Sequence, residues 1–183
     1  MKLTDLQQVA ATAASIWKNS VIGGGAVRDA FLGGPIKDID LFVDTRDLSN
    51  PLGFSWDEQV DILAKTLGGA VSLHAFGTAS IPGEQQNNTY HVHWSGPVVE
   101  VLPVSRDVIA DADDYDFGIS QVQMTKDGIR RLPGFDKDLR DNTITYLGDE
   151  TWAEAGRARS ALRLKRILAK YPDRTPVNCE VLL

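Results

Sequence analysis

Residues 21–43 read VIGGGAVRDAFLGGPIKDIDLFV, and this stretch decides the fold. A short apolar run enters three consecutive glycines, Gly23, Gly24 and Gly25, which fits a strand ending in a tight turn. Residues 26–32 then return to helical spacing until Gly33-Gly34-Pro35 stops them. In KDIDLFV, Asp38, Asp40 and Phe42 alternate with Ile39, Leu41 and Val43, the period-2 pattern of a strand with one apolar and one polar face. The pattern therefore predicts strand, glycine turn, helix and strand, with two carboxylates on the same side of the second strand.

Outward from this stretch the same logic predicts a mixed α/β layout. Leu6, Val9, Ala10, Ala13, Ile16 and Trp17 give a helix over 4–19 with Thr4 as its N-cap. Ser55-Trp56-Asp57-Glu58 is a capping box opening a helix that Gly68-Gly69 closes. Strands are expected at 70–76, 89–94 and 97–104, with the polar PGEQQNN loop between the first two. Residues 116–132, DFGISQVQMTKDGIRRL, are expected to form a hairpin around Lys126-Asp127-Gly128. A second capping box, Thr151 to Glu154, starts a helix running to about Lys170, before Pro172. Ala161, Leu162, Leu164, Ile167 and Leu168 supply its core stripe. A mostly antiparallel sheet with flanking helices is the expected architecture, with a boundary near Gly148 dividing a body at 1–148 from a C-terminal helical segment at 149–183.

Composition narrows the function. With 183 residues, 43% hydrophobic and 24% charged, the chain lies in the ordinary globular range. No apolar run reaches the ~20 residues that span a bilayer, and the N-terminus does not read as a signal peptide, so a cytoplasmic location and no membrane partner are expected. Cys179 is the one cysteine, has no disulfide partner in the chain, and reads as a small apolar filler. A net charge of −6 argues against a nucleic-acid footprint over the whole surface. Residues 151–174, however, carry seven basic against two acidic side chains, a local basic face able to meet phosphates.

Aspartates at i and i+2 of a strand stand about 6 to 7 Å apart on one face. That spacing suits divalent cations, and Mg²⁺ completes its oxygen shell with substrate phosphates. Glu100, interrupting the apolar VVEVLPV, is the candidate third carboxylate, because an unpaired buried Glu needs a compensating cation. Each feature taken singly has a plainer reading: a tight turn for the glycines, a solvated helix pair for Arg28 and Asp29, an edge-strand charge for Glu100. Of His74, His91 and His93, weighed as a metal group, the last two share a strand face, as zinc sites use, but read as a surface pair for want of a Cys or acidic neighbour. The four tryptophans read as packing residues.

The Gly-Gly pair, Val27, Arg28-Asp29, Leu32-Gly33 and Asp38-x-Asp40, in this order, resemble the head-domain signature of the class II tRNA nucleotidyltransferase and bacterial poly(A) polymerase family, within the DNA polymerase beta-like nucleotidyltransferase superfamily. The resemblance implies that fold: an α+β head with a short neck-like helical element after it. It gives Gly24, Gly25 and Arg28 a phosphate-holding role and Asp29 a supporting one. Asp38 and Asp40 become ligands of two Mg²⁺ ions, or of Mn²⁺ in their place. FGTASI followed by VVEVLPV resembles the family's strand pair ending in a Glu, which supports Glu100. YDFGISQVQMTKDG resembles its ribose-contacting segment, with Asp116 and Phe117 at matching positions. Asp138-Leu139 matches the element that follows. Arg163 and Arg166 match later positions of the base-reading helix, which makes them nucleotide-binding candidates. Asp114 and Tyr115 stand where the family has two arginines, Gly118 and Gln121 where it has Thr and Asn, and Gly156-Arg157 where it has an acidic pair.

The implied activity is a minimal nucleotidyltransferase, moving a nucleoside monophosphate from an NTP to an acceptor hydroxyl on an RNA 3′ end, a small molecule or a protein, with release of pyrophosphate. The other expectation is a nucleotide-binding or partner-binding module that keeps the fold without catalysis, which the altered ribose and base segments favour.

Overall fold

The structure is a computed structural model that describes residues 1–46, 53–75, 87–110, 115–148 and 154–182. The expected PGEQQNN loop (up to residue 86), the FGTASI segment from residue 76, Asp114 and most of the Thr151 capping box lie outside the described residues. The chain divides into two compact units: Met1–Asp111 with Gln123–Arg130, and Ala112–Val122 with Arg131–Leu183. This division falls elsewhere than the expected boundary at 148, because residues 131–148 group with the final helix and not with the sheet.

The first unit is built on a seven-stranded sheet: β1 (Ser20–Gly23), β2 (Asp38–Asp44), β3 (Ala70–Ala75), β4 (Thr89–His93), β5 (Val98–Val104), β6 (Val122–Thr125) and β7 (Gly128–Arg131), in the order β3-β4-β5-β2-β1-β6-β7. β1 pairs antiparallel with β2 and β6, and β4 antiparallel with β3 and β5. β2 and β5 are parallel. The mostly antiparallel α+β architecture expected from the sequence is thus the one observed. Helices α1 (Leu3–Ile16), α2 (Gly25–Leu32) and α3 (Trp56–Thr66) accompany the sheet, α1 and α3 packing against it and on each other.

Residue patterns account for these elements. In β2, Ile39, Leu41 and Val43 are fully buried while Asp38, Asp40 and Phe42 are half-exposed, as the alternation requires. Leu6, Val9 and Ala13 of α1 and Val60 and Leu63 of α3 are buried at helical spacing. Each such full burial of a Val or Leu is worth about 1.5–3 kcal/mol. Trp17 and Trp56 are buried with ring centroids 5.4 Å apart, in keeping with a packing role. The Ser55 capping box is present, with Ser55 N donating to Glu58 Oε2 at 2.8 Å. At α1 the cap is Lys2 and not Thr4: Lys2 N donates to Asp5 Oδ2 at 2.8 Å, so the acidic side chain in the first turn captures the backbone two residues earlier than expected.

The second unit holds α4 (Pro133–Asp141), β8 (Thr143–Thr145), α5 (Glu154–Lys170) and β9 (Thr175–Val177), with β8 and β9 paired in parallel. Asp138, fully buried in α4, organises it. Its carboxylate accepts from Thr143 Oγ1 at 2.7 Å, from Thr145 Oγ1 at 2.6 Å and from Thr145 N at 3.0 Å, tying α4 to β8. In α5 the buried positions are Ser160, Leu164 and Ile167, while Leu162, expected in the core stripe, is 63% exposed. Periodicity explains the difference: 160, 164 and 167 keep the i, i+4, i+7 row, from which 162 is rotated by about 200°. Cys179 is buried, and burial raises its thiol pKa, consistent with a filler. No described helix is long and apolar enough to cross a membrane.

Candidate active site

The glycine turn joins β1 to α2. Gly24, the N-cap of α2, has φ 59° and ψ −115°, the first central position of a type II′ turn, which only glycine takes without strain. Arg28 follows one helical turn later, its N–H donating to Gly24 O at 3.0 Å. The side chains of Arg28 and Asp29 are buried, 7% and 3% exposed. Arg28 Nε donates to Asp29 Oδ1 at 2.7 Å, and Nη2 lies 2.6 Å from the same oxygen. They are therefore not the solvated pair of the plainer reading. Arg28 Nη2 also sits 3.7 Å from where a Cβ on Gly25 would be, which brings the guanidinium against the turn.

The carboxylates share one face of the sheet. Asp38 and Asp40 lie on the same half-exposed side of β2, and Glu100 of β5 is the direct register partner of Asp40. Neighbouring strands lie about 4.8 Å apart, so Asp40 and Glu100 are adjacent and Asp38 is one step along the strand. Lys37 Nζ donates to Asp38 Oδ2 at 2.8 Å. Glu100 is not buried: its side chain is 26% exposed, between the fully buried Val99 and Val101. VVEVLPV reads as a continuous apolar run, yet β5 is one-sided like β2, and the desolvation argument for Glu100 gives way to a geometric one.

The same face continues through His91 of β4, the register partner of Glu100, to His74 of β3. The sequence paired His91 with His93, and their rings do meet edge to face with centroids 6.0 Å apart; His93 Nε2 also shares a 2.8 Å hydrogen bond with Ser72 Oγ, and His91 stacks more closely on His74, with ring centroids 4.0 Å apart. His74 Nε2 lies 3.4 Å from Glu100 Oε1. Burial, and next the neighbouring His74, push the His91 pKa below its ordinary value, with Glu100 opposing. The sequence offers His74 only as one of three histidines, and nothing in it joins His74 to Glu100, since its partners stand 17 and 26 residues on and only strand pairing unites them.

Asp116, Arg163 and Arg166 belong to the second unit. Asp116 is buried and accepts from Ser160 Oγ at 3.0 Å and from Arg163 Nη1 at 2.6 Å. Arg166 is exposed on α5. Gly118 is required by close approach, because a Cβ there would fall 2.7 Å from Asp138 Oδ2 and 3.0 Å from Gly134 O. Gln121 has a fixed partner, its Oε1 accepting from Gly134 N at 3.0 Å.

Asp38, Asp40 and Glu100 are oxygen donors of the kind a hard divalent cation takes, and they stand on adjacent strands, but among the described residues the group whose ligand atoms lie within 4.8 Å of one another is His74, His91 and Glu100, without Asp38 or Asp40.

The fold, with its strand, glycine turn, helix and carboxylate strand, is shared with solved structures of CCA-adding enzymes. Similar solved structures include a CCA-adding enzyme in its apo form I (TM-score 0.65, 19% identity, covering 97% of this chain and 41% of that one). A CCA-adding enzyme in complex with ATP (0.64, 19%, 98% and 41%) and the Thermotoga maritima CCA-adding enzyme complexed with tRNA (0.63, 18%, 98% and 40%) are similar as well. The chain spans less than half the length of these proteins. No family model matches the sequence, and no curated protein matches it.

Proposed function

We propose that the chain is a metal-dependent nucleotidyltransferase, transferring a nucleoside monophosphate from an NTP to an acceptor hydroxyl and releasing pyrophosphate. The observation that carries this reading is the register of the strands, which sets Asp38, Asp40 and Glu100 on the half-exposed face of the paired β2 and β5, one element from a glycine turn backed by Arg28. Asp38 and Asp40 would hold the two Mg²⁺ ions, with Glu100 as third ligand. The chemistry such ions supply when bound is a lowered pKa of the attacking hydroxyl and compensation of charge on the leaving group. The chain's own part is positioning and electrostatics. Backbone N–H groups at the start of α2 cradle the polyphosphate, and the Arg28 guanidinium, oriented by Asp29, adds fixed positive charge behind them. In the second unit Asp116 and Arg163 hold each other, and Arg163 and Arg166 stay nucleotide-binding candidates on α5.

An RNA 3′ end is the acceptor we favour. The similar structures include one complexed with tRNA, and Arg159, Arg163, Lys165, Arg166 and Lys170 are exposed along α5. The test offers radiolabelled ATP and CTP with Mg²⁺ to tRNA, total RNA and cell protein. Label on RNA 3′ ends supports the proposal, and label confined to protein would displace RNA as acceptor. Nucleotide binding without pyrophosphate release would favour the catalytically inactive binding module.

A further inference from the structure

The carboxylate face does not end at Glu100. Across β3, β4 and β5, ligand atoms of His74, His91 and Glu100 all lie within 4.8 Å of one another. Two ligands held about 2.1 Å from one ion at the tetrahedral angle are about 3.4 Å apart, which is the separation of His74 Nε2 and Glu100 Oε1. Strand pairing makes Glu100 and His91 direct neighbours. His74 is brought in by a bulge: the β3–β4 register shifts between Leu73 and Ala75, leaving His74 as the extra residue and re-aiming its side chain over His91. Two imidazoles and one carboxylate are a donor set that hard Mg²⁺ does not prefer and that borderline transition ions do. All three side chains are partly exposed, so an ion has a route in and room for a water or substrate oxygen as a further ligand.

We propose that His74, His91 and Glu100 form a binding site for a divalent transition-metal ion of the Zn²⁺ or Co²⁺ kind. Glu100 stands between this site and Asp40, with His91 of β4 on one flank and Asp40 of β2 on the other. It is thus a carboxylate that both ion sets can reach. This last point rests on the assignment of Asp38, Asp40 and Glu100 to catalytic Mg²⁺, whereas the imidazole site itself does not.

The full chain is titrated with Co²⁺, read by its visible ligand-field absorption, and with Zn²⁺, read by calorimetry and by the rise in Tm. The wild type is expected to bind one ion tightly with the intense absorption of a four- or five-coordinate site. Losing even an outer partner of a metal ligand typically costs about 10–100-fold in affinity, so His74→Ala and His91→Ala should each weaken binding at least about tenfold. Asp38→Asn should leave it within about threefold. His74 lies on an edge strand with its side chain 45% exposed, so the variant at that position keeps the fold, which its melting curve without metal verifies. Equal Zn²⁺ affinity in the wild type and the His74→Ala protein would overturn the site. Mg²⁺-dependent transfer without His-dependent Co²⁺ binding would sink this inference alone. His-dependent Co²⁺ binding without transfer under any metal would sink the transferase reading alone.

Discussion

At the scale of single residues, several charges on this protein are held by neighbours close in sequence. Asp44, at the end of β2, is buried, and Arg46 grips it twice, Nε to Oδ1 at 3.0 Å and Nη2 to Oδ2 at 2.7 Å. These hydrogen bonds hold the Asp44 pKa below its ordinary value. A carboxyl with a lowered folded-state pKa stabilises the fold above its unfolded value of 3.8, and that contribution disappears as pH falls through the folded value. Arg46→Met should therefore cost about 1–3 kcal/mol near neutral pH, and the gap to wild type should narrow in acid. Urea melts at about pH 7 and about pH 3 measure this, and an unchanged gap would contradict it. The aspartates at 38 and 40 were legible in the sequence because β2 alternates so regularly. The role of Asp138 was legible only as a motif position, since the threonines that fill its lone pairs reach it through the turn after α4.

At the scale of elements, two glycines are fixed by different causes. Gly24 is set by backbone conformation, so Gly24→Ala should lose about 1–3 kcal/mol of stability and lower nucleotide affinity together, read by thermal melts and by titration with ATP. Gly118 is set by space, so Gly118→Ala must displace Asp138 or the α4 backbone and should destabilise by a similar amount. If either alanine variant melts like the wild type, the corresponding cause is not the operative one. Capping boxes and periodicity revealed α3, β1 and β2 before any coordinates, because these signals are local. α4 was not foreseen as a helix: PGFDKDLRD carries few apolar residues, and its buried positions are only Phe135 and Asp138. The His74–His91–Glu100 row was equally out of reach, since it depends on a bulge and on the pairing of three strands.

At the scale of the whole molecule, an acidic chain gathers six of its nineteen Lys and Arg residues on one helix, α5. If α5 meets RNA, Arg166→Glu should weaken RNA binding and reduce the slope of log affinity against log salt by about 1, whatever the sequence of the RNA. A slope unchanged from wild type would remove α5 from the interface. The architecture was readable in outline, including the mostly antiparallel sheet, but its parallel β2–β5 pairing was not, and that pairing is what sets Glu100 beside Asp40. The most direct measurement of the central claim is Mg²⁺-dependent pyrophosphate release from ATP and CTP in the presence of RNA, comparing the wild type with Asp38→Asn, Asp40→Asn and Glu100→Gln. The account predicts release by the wild type, a loss of about a hundredfold or more in each variant, and melting temperatures that do not fall with it. Undiminished release from the Asp40→Asn protein would contradict the account.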